Sequence, residues 1–177
     1  MDSPISELNN FMEEQEIHEQ IQNLSSLYPE VRRKAHLRLV QIGDEAIPPL
    51  ITLLHEGNRQ LANEAIHILG EMTGPASPKS LVGCLQDESP LARWDATKAL
   101  ILLGRAGLVA LMEALVAHYD AIWLRDAARD VLRELSEHHY LTPEEEKLLA
   151  VLEGSYPVFE IAHSAQIALE ALKRNEE

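Results

Sequence analysis

Apolar positions recur along this chain at helical spacing, in a block of about thirty residues that repeats. Between Ser89 and Gly104, Ala92, Ala96, Ala99, Leu100 and Leu103 fall at i, i+4, i+7, i+8 and i+11, which is one face of a helix. Ser89 reads as the N-cap of that helix, Pro90 as its first-turn proline and Gly104 as its stop. The same skeleton occurs five times. Aligned on the alanine it gives Ala35, Ala65, Ala96, Ala128 and Ala165, and four residues on stand Leu39, Leu69, Leu100, Leu132 and Leu169. Three further on come Ile42, Met72, Leu103, Leu135 and Leu172; four before the alanine come Val31, Leu61, Ala92, Leu124 and Ile161. Successive alanines are 30, 31, 32 and 37 residues apart, so the last block carries an insertion.

A shorter helix with its own apolar face precedes each of these. The matching triplets are Leu50, Leu53 and Leu54; Leu81, Cys84 and Leu85; Leu111, Ala114 and Leu115; and Leu148, Val151 and Leu152, with Ile17, Ile21 and Leu24 in the first block. Turn residues at Tyr28-Pro29, Gly57-Asn58, Ser89-Pro90 and Gly154 to Pro157 divide the pairs, and Thr142-Pro143-Glu144-Glu145 reads as a capping box. The repeating unit is therefore helix A, a tight turn, helix B and a link. A pair that short cannot bury its apolar stripe alone, and stacked neighbours supply the rest of the core. The pattern predicts an all-α protein, a right-handed α-solenoid of about five two-helix repeats with units near 14–43, 44–73, 74–104, 105–137 and 138–175. Residues 1–13 are expected as a lead or cap segment, since Leu8, Phe11 and Met12 point to a different side from Ile17, Ile21 and Leu24. One long helix with two apolar faces is the alternative.

At Glu30-Val31-Arg32-Arg33-Lys34-Ala35, Leu91-Ala92-Arg93-Trp94-Asp95-Ala96 and Leu124-Arg125-Asp126-Ala127-Ala128 the pattern resembles HEAT-like repeats of the phycobilisome-lyase type. The resemblance covers roughly residues 14 to 175 and implies the solenoid fold. For function it implies only a set of classes, because such repeats serve as scaffolds, lyases, hydroxylases and DNA glycosylases. In relatives of this kind the arginine that recurs here as Arg32, Arg93 and Arg125 pairs with an acid of the next repeat, for which Asp44, Asp87 and Asp120 are the candidates.

Charge and chemistry narrow these classes. Acids outnumber bases 29 to 15, a net charge of −14, which opposes binding to a nucleic-acid backbone. HEAT-type glycosylases use a basic concave face, whereas the one basic cluster here, Arg32, Arg33, Lys34 and Arg38, is expected to face the acidic first 27 residues. His18-Glu19 and His55-Glu56 resemble the His-Glu pairs of HEAT-type di-iron hydroxylases, but those lie just before the helix B alanine. The pairs at that position here are Asn63-Glu64, Trp94-Asp95 and His163-Ser164, so no metal and no cofactor is expected. His138-His139 falls in the lengthened link and is expected at the surface. Zinc-type Cys/His spacing, a phosphate-cradling glycine loop and a nucleophile elbow are all missing from the sequence. Cys84, the single cysteine, falls at an apolar position and reads as a small core residue. With no signal-like start and no apolar run of membrane-spanning length, a cytoplasmic protein without membrane contact is expected.

The positive clue lies on the face of helix B turned away from the core. Relative to the core alanine, positions −5, −2, +2, +5 and +6 are polar in most units, but the third unit has Leu91, Trp94, Lys98, Ile101 and Leu102 there. Trp123 joins them from the fourth unit, and Leu37, Val40 and His67 extend the patch toward the first. The expected function is a non-catalytic scaffold that docks a neutral or basic protein on the concave face of its B helices through Leu37, His67, Trp94, Lys98, Ile101 and Trp123. A bilin lyase subunit is the alternative the resemblance leaves open, and indoles that merely fill gaps between B helices are the structural alternative.

Overall fold

The computed structural model describes residues 4–56, 58–72, 74–138 and 141–174, with side chains from residue 11 onward. Among the described residues ten α-helices follow one another: α1 Pro4–Asn23, α2 Pro29–Ile42, α3 Ile47–His55, α4 Arg59–Glu71, α5 Ala76–Cys84, α6 Pro90–Leu102, α7 Arg105–Ala117, α8 Ile122–Glu137, α9 Pro143–Glu153 and α10 Val158–Arg174. A single 3-10 turn, Gly43–Ala46, links α2 to α3, and there is no strand among the described residues. The helix boundaries have local causes. Ser89 Oγ accepts from the Ala92 N–H and Pro90 opens α6, while Gly104 follows it at φ 56°, a conformation that glycine adopts without steric cost. Asn58 caps α4 through the N–H groups of Gln60 and Leu61, and Thr142 and Glu145 close a reciprocal capping box on α9.

The repeating columns form the core. All five alanines of helix B and the leucines four residues on are buried, and the A-helix triplets Leu50, Leu53 and Leu54, and Leu81, Cys84 and Leu85, meet them from the other layer. The result is a short α-solenoid in which α2, α4, α6 and α8 stack as one row and α3, α5 and α7 as the other. Of the lead segment expected at residues 1–13, residues 4–13 form the first half of α1, as in the long-helix alternative, and residues 1–3 lie outside the described residues. Ile17 in α1 and Leu24 just after it are buried, Ile21 is partly so, and α1 packs on α2; Phe11 and Met12 lie on the exposed side.

The last unit departs from simple stacking. Helix α9 lies against α8, whereas α10 lies against α7 as well as α9, so α9 continues the B row and α10 the A row. Arg133 on α8 binds Glu153 at the end of α9 at 2.7 Å, Lys173 on α10 binds Glu113 on α7 at 2.8 Å, and Arg105 donates to the Leu172 carbonyl at 3.1 Å. The longer spacing before Ala165 supplies the chain length for this exchange of rows.

The recurring arginine does something other than expected. Arg32 donates to the Ser26 carbonyl at 2.8 Å, and Arg93 to the carbonyls of Asp87 and Glu88 at 2.6 and 3.2 Å. Each therefore clamps the turn of its own unit, where carbonyls at the end of helix A lack intrahelical partners. Polar contacts between repeats come from other residues: Arg59 forms an ion pair with Asp95, the His55 ring lies against Asp87, and the His36 ring lies against Glu64 and Glu71. Of the basic cluster of α2, Arg38 meets the acidic first helix, binding both carboxylate oxygens of Glu16 at 2.5 and 3.0 Å, whereas Arg33 pairs with Glu30 of its own helix and Arg32 with the Ser26 carbonyl.

Two substitutions test the packing. Leu100→Ala empties a fully buried site and should cost about 2–5 kcal/mol in urea denaturation. At Gly107 an added Cβ would sit 2.2 Å from the Leu100 carbonyl oxygen, so α7 crosses α6 backbone to side-chain-free backbone. Gly107→Ala should therefore force these helices apart and cost about 1–3 kcal/mol, and wild-type stability in either variant would contradict this packing.

Candidate docking groove

Helix α6 presents Trp94 two residues before its core alanine, and the indole is 55% exposed. Three recesses open around it. One, of about 470 Å³, lies between the first half of α6 and α8 and is lined by Pro90, Arg93, Trp94, Trp123, Asp126 and Asp130 among others. A second, of about 230 Å³, continues between the same helices past Thr97 and Ile101 to Asp130, Glu134 and Glu137. The third, of about 330 Å³, lies between α4 and α6 and brings together Ile66, His67, Trp94, Lys98, Ile101 and Leu102. Trp94 borders all three.

Four of the residues singled out in the sequence, His67, Trp94, Lys98 and Ile101, thus meet in one recess. Trp123 reaches Trp94 through the larger recess but is only partly exposed, packed against the core from the first turn of α8. Leu37 is exposed but stands apart, in a recess between α2 and α4 with Arg32, Arg33, His36, Glu64 and Glu71. The two indoles therefore differ: Trp94 is a surface group and Trp123 is half structural.

What holds Trp94 in place was not legible from its own column. Asp95, next to it, is fully buried, and Arg59 at the start of α4 grips both its carboxylate oxygens at 2.7 and 3.1 Å. That hydrogen bond raises the Arg59 guanidinium above its usual value. Lys98 lies 3.4 Å from the same carboxylate, so its charge is turned toward Asp95. The sequence signal was an aspartate directly beside a core alanine, a place where a carboxylate needs a cation.

A second polar joint sits at the rim of the larger recess. The Ser89 N–H donates to Asp87 at 2.8 Å, His55 Nε2 lies 2.8 Å from the other carboxylate oxygen, and His55 Nδ1 lies 2.8 Å from the Ile51 carbonyl. The ring thus links the last turn of α3 to the turn that precedes α6. The Ser89 N–H first, then His55 and Arg93, hold the Asp87 carboxyl below its ordinary value.

Among the described residues, no group of three or more His, Cys, Asp and Glu side chains is arranged to hold a metal ion. His138 is exposed, and its Nδ1 lies 3.0 Å from the Glu134 carbonyl; His139 lies outside the described residues. Cys84 is buried, and desolvation pushes its thiol up to about 11, where the nucleophilic thiolate is scarce at neutral pH. No described helix is long and apolar enough to cross a membrane.

With this geometry in view, comparison with known proteins defines the class. The family model for HEAT repeats matches residues 18–101 and 47–133, and the chain belongs to that family. No curated protein gives a significant match. Among solved structures the chain is similar to an engineered protein, a target of the Northeast Structural Genomics Consortium, at 19% identity over 97% of this chain and 85% of that one. The TM-score of 0.33 is too low for that likeness to carry any argument.

Two measurements check the polar joints. Arg59→Met leaves Asp95 buried with only Lys98 nearby and should lower stability by about 1–3 kcal/mol; adding Asp95→Ala should return part of that loss, because no buried charge then remains unpaired. Because the folded-state value of Asp87 is depressed, its contribution is present above about pH 4, the unfolded value, and is lost as pH falls through the depressed one. The stability gap between wild type and Asp87→Asn should accordingly be open at neutral pH and close in acid.

Proposed function

We propose that this HEAT-repeat chain is a non-catalytic scaffold that docks a protein partner in the groove of its B helices around Trp94. HEAT repeats generally mediate protein–protein interaction, and one observation carries the choice of surface: a large aromatic side chain more than half exposed at the meeting point of three recesses. Exposed tryptophans surrounded by packed neighbours are the residue type most enriched among interface hot spots. The core columns and the polar joints fix the helices that bear it, so the surface is formed before a partner arrives, which limits the ordering cost of binding. His67, Lys98 and Ile101 border the anchor, Trp123 supports it, and Leu37 lies on a separate recess. The bilin-lyase alternative rests on the resemblance in the repeat motifs alone.

The test separates docking from packing. Once a partner has been captured by crosslinking, Trp94→Ala should weaken its binding by about 2 kcal/mol or more, roughly thirtyfold, with little change in melting temperature. Trp123→Ala should instead lower the melting temperature, since part of the indole lies against the core. Loss of stability in Trp94→Ala with unchanged affinity of the folded fraction would remove the docking site. Absorbance of a free bilin unaltered by the protein is expected, and a spectral shift on mixing would favour the lyase.

A further inference from the structure

The wall of the groove opposite Trp94 has a composition of its own. Helix α8 carries Asp126, Asp130, Glu134 and Glu137 at i, i+4, i+8 and i+11, one stripe along the helix, and all four line the space between α6 and α8. Two guanidiniums stand among these four carboxylates: Arg129 lies 2.9 Å from Asp126 and 3.5 Å from Asp130, and Arg133 lines the same recess near Asp130 and Glu137. Glu134 and Glu137 make no direct ion pair among the described residues, since Arg133, just before them on α8, points its guanidinium to Glu153 at 2.7 Å, and the five acids around Arg129 and Arg133 leave an excess of negative charge. The negative C-terminal end of the α8 dipole lies at the same end of the groove. On the α6 side the surface is apolar. Trp94 and Ile101 dominate it, the Thr97 hydroxyl is satisfied by the Arg93 carbonyl at 2.9 Å, and the Lys98 charge is turned to Asp95. One wall is aromatic and aliphatic and the other is under-neutralised acid.

We infer that the groove receives one face of a basic amphipathic helix of the partner protein, with apolar side chains beside Trp94 and Ile101 and Lys or Arg at i, i+4 spacing against the α8 stripe. The inference rests on the docking reading above and adds the chemistry of the occupant. The charge of the occupant follows from complementarity, since a neutral or acidic segment would leave the carboxylates of α8 partly desolvated without a counter-charge. Phosphate-rich nucleic acid is repelled for the same reason. Helical form follows from the backbone. An extended segment would bring unpaired N–H and C=O groups into the groove, which has no strand edge and whose amide side chains, Asn63 and Gln86, stand in different recesses. A helix satisfies those groups itself. The 13 residues of α6 span about 20 Å, room for about four turns laid alongside.

The experiment is a selection from displayed helical peptides about 18 residues long, with leucines fixed along one seam and the flanking positions randomised among Lys, Glu and Ser. On the wild-type chain, Lys is expected to be enriched at i, i+4 spacing. The selected peptide should bind about tenfold more weakly to Glu134→Lys combined with Glu137→Lys, the loss should shrink with added salt, and selection on that variant should favour Glu. Glu134→Gln with Glu137→Gln should give a smaller loss of the same sign, and circular dichroism checks that each variant folds. Winners that are Glu-rich or indifferent to charge, yet lose binding in Trp94→Ala, overturn the basic helix and leave the docking surface standing. Winners unaffected by Trp94→Ala, or no winner at all, overturn both.

Discussion

A pair of helices as short as α3 and α4 cannot enclose its own apolar stripe, and the architecture answers that constraint at every level. The alanine and leucine columns of helix B reach zero or near-zero exposure in each unit because the neighbouring units cover them. Burying a leucine contributes about 1.5–3 kcal/mol, so a unit stripped of a neighbour loses several such contributions at once. The ends of the stack then become the places where the rule must be broken. At the start, α1 covers α2 with Ile17 and Ile21, Leu24 follows in the turn, and Phe11 and Met12 stay in solvent. At the far end, α9 and α10 exchange rows, so that one final pair closes both α8 and α7.

Apolar stacking alone leaves neighbouring helices free to slide, and polar joints remove much of that freedom. Asp95 is buried, so its position is set by the Arg59 guanidinium that neutralises it, and α6 is thereby registered against α4. His55 and Asp87 perform a similar task between α3 and the turn that begins α6. Within single units, Arg32 and Arg93 hold the turn carbonyls that helix ends leave over. A buried ion pair is a weak source of net stability, because desolvation offsets most of the attraction. Its consequence here is geometric: it fixes where Trp94 stands.

That placement gives the groove its character. The residue directly before Asp95 on the helix points away from the core, so fixing the carboxylate inward fixes the indole outward. Facing it, α8 turns its leucines and alanines to the core and its acids to the groove, leaving an apolar wall and a charged one. On the proposed docking reading, such a surface would discriminate by charge as well as by fit.

Sequence by itself determined the repeat. Five copies of the Ala, Leu and apolar columns at helical spacing decide the helix pairs and the alanine and leucine core columns, because periodicity of 3.6 is a local property of the chain. The exposure of Trp94 was legible the same way, from its angle relative to Ala96. What lay beyond reach were relations between units. That Arg93 turns back to its own turn, that Arg59 reaches Asp95 thirty-six residues away, and that Leu37 falls in a different recess from His67 depend on how adjacent repeats are set against each other. The same holds for Trp123, which lines the recess beside Trp94 but packs partly against the core. The insertion before the last unit was visible as a longer spacing, but the exchange of α9 and α10 between rows was decided only by which neighbour each apolar face met, a choice made in three dimensions.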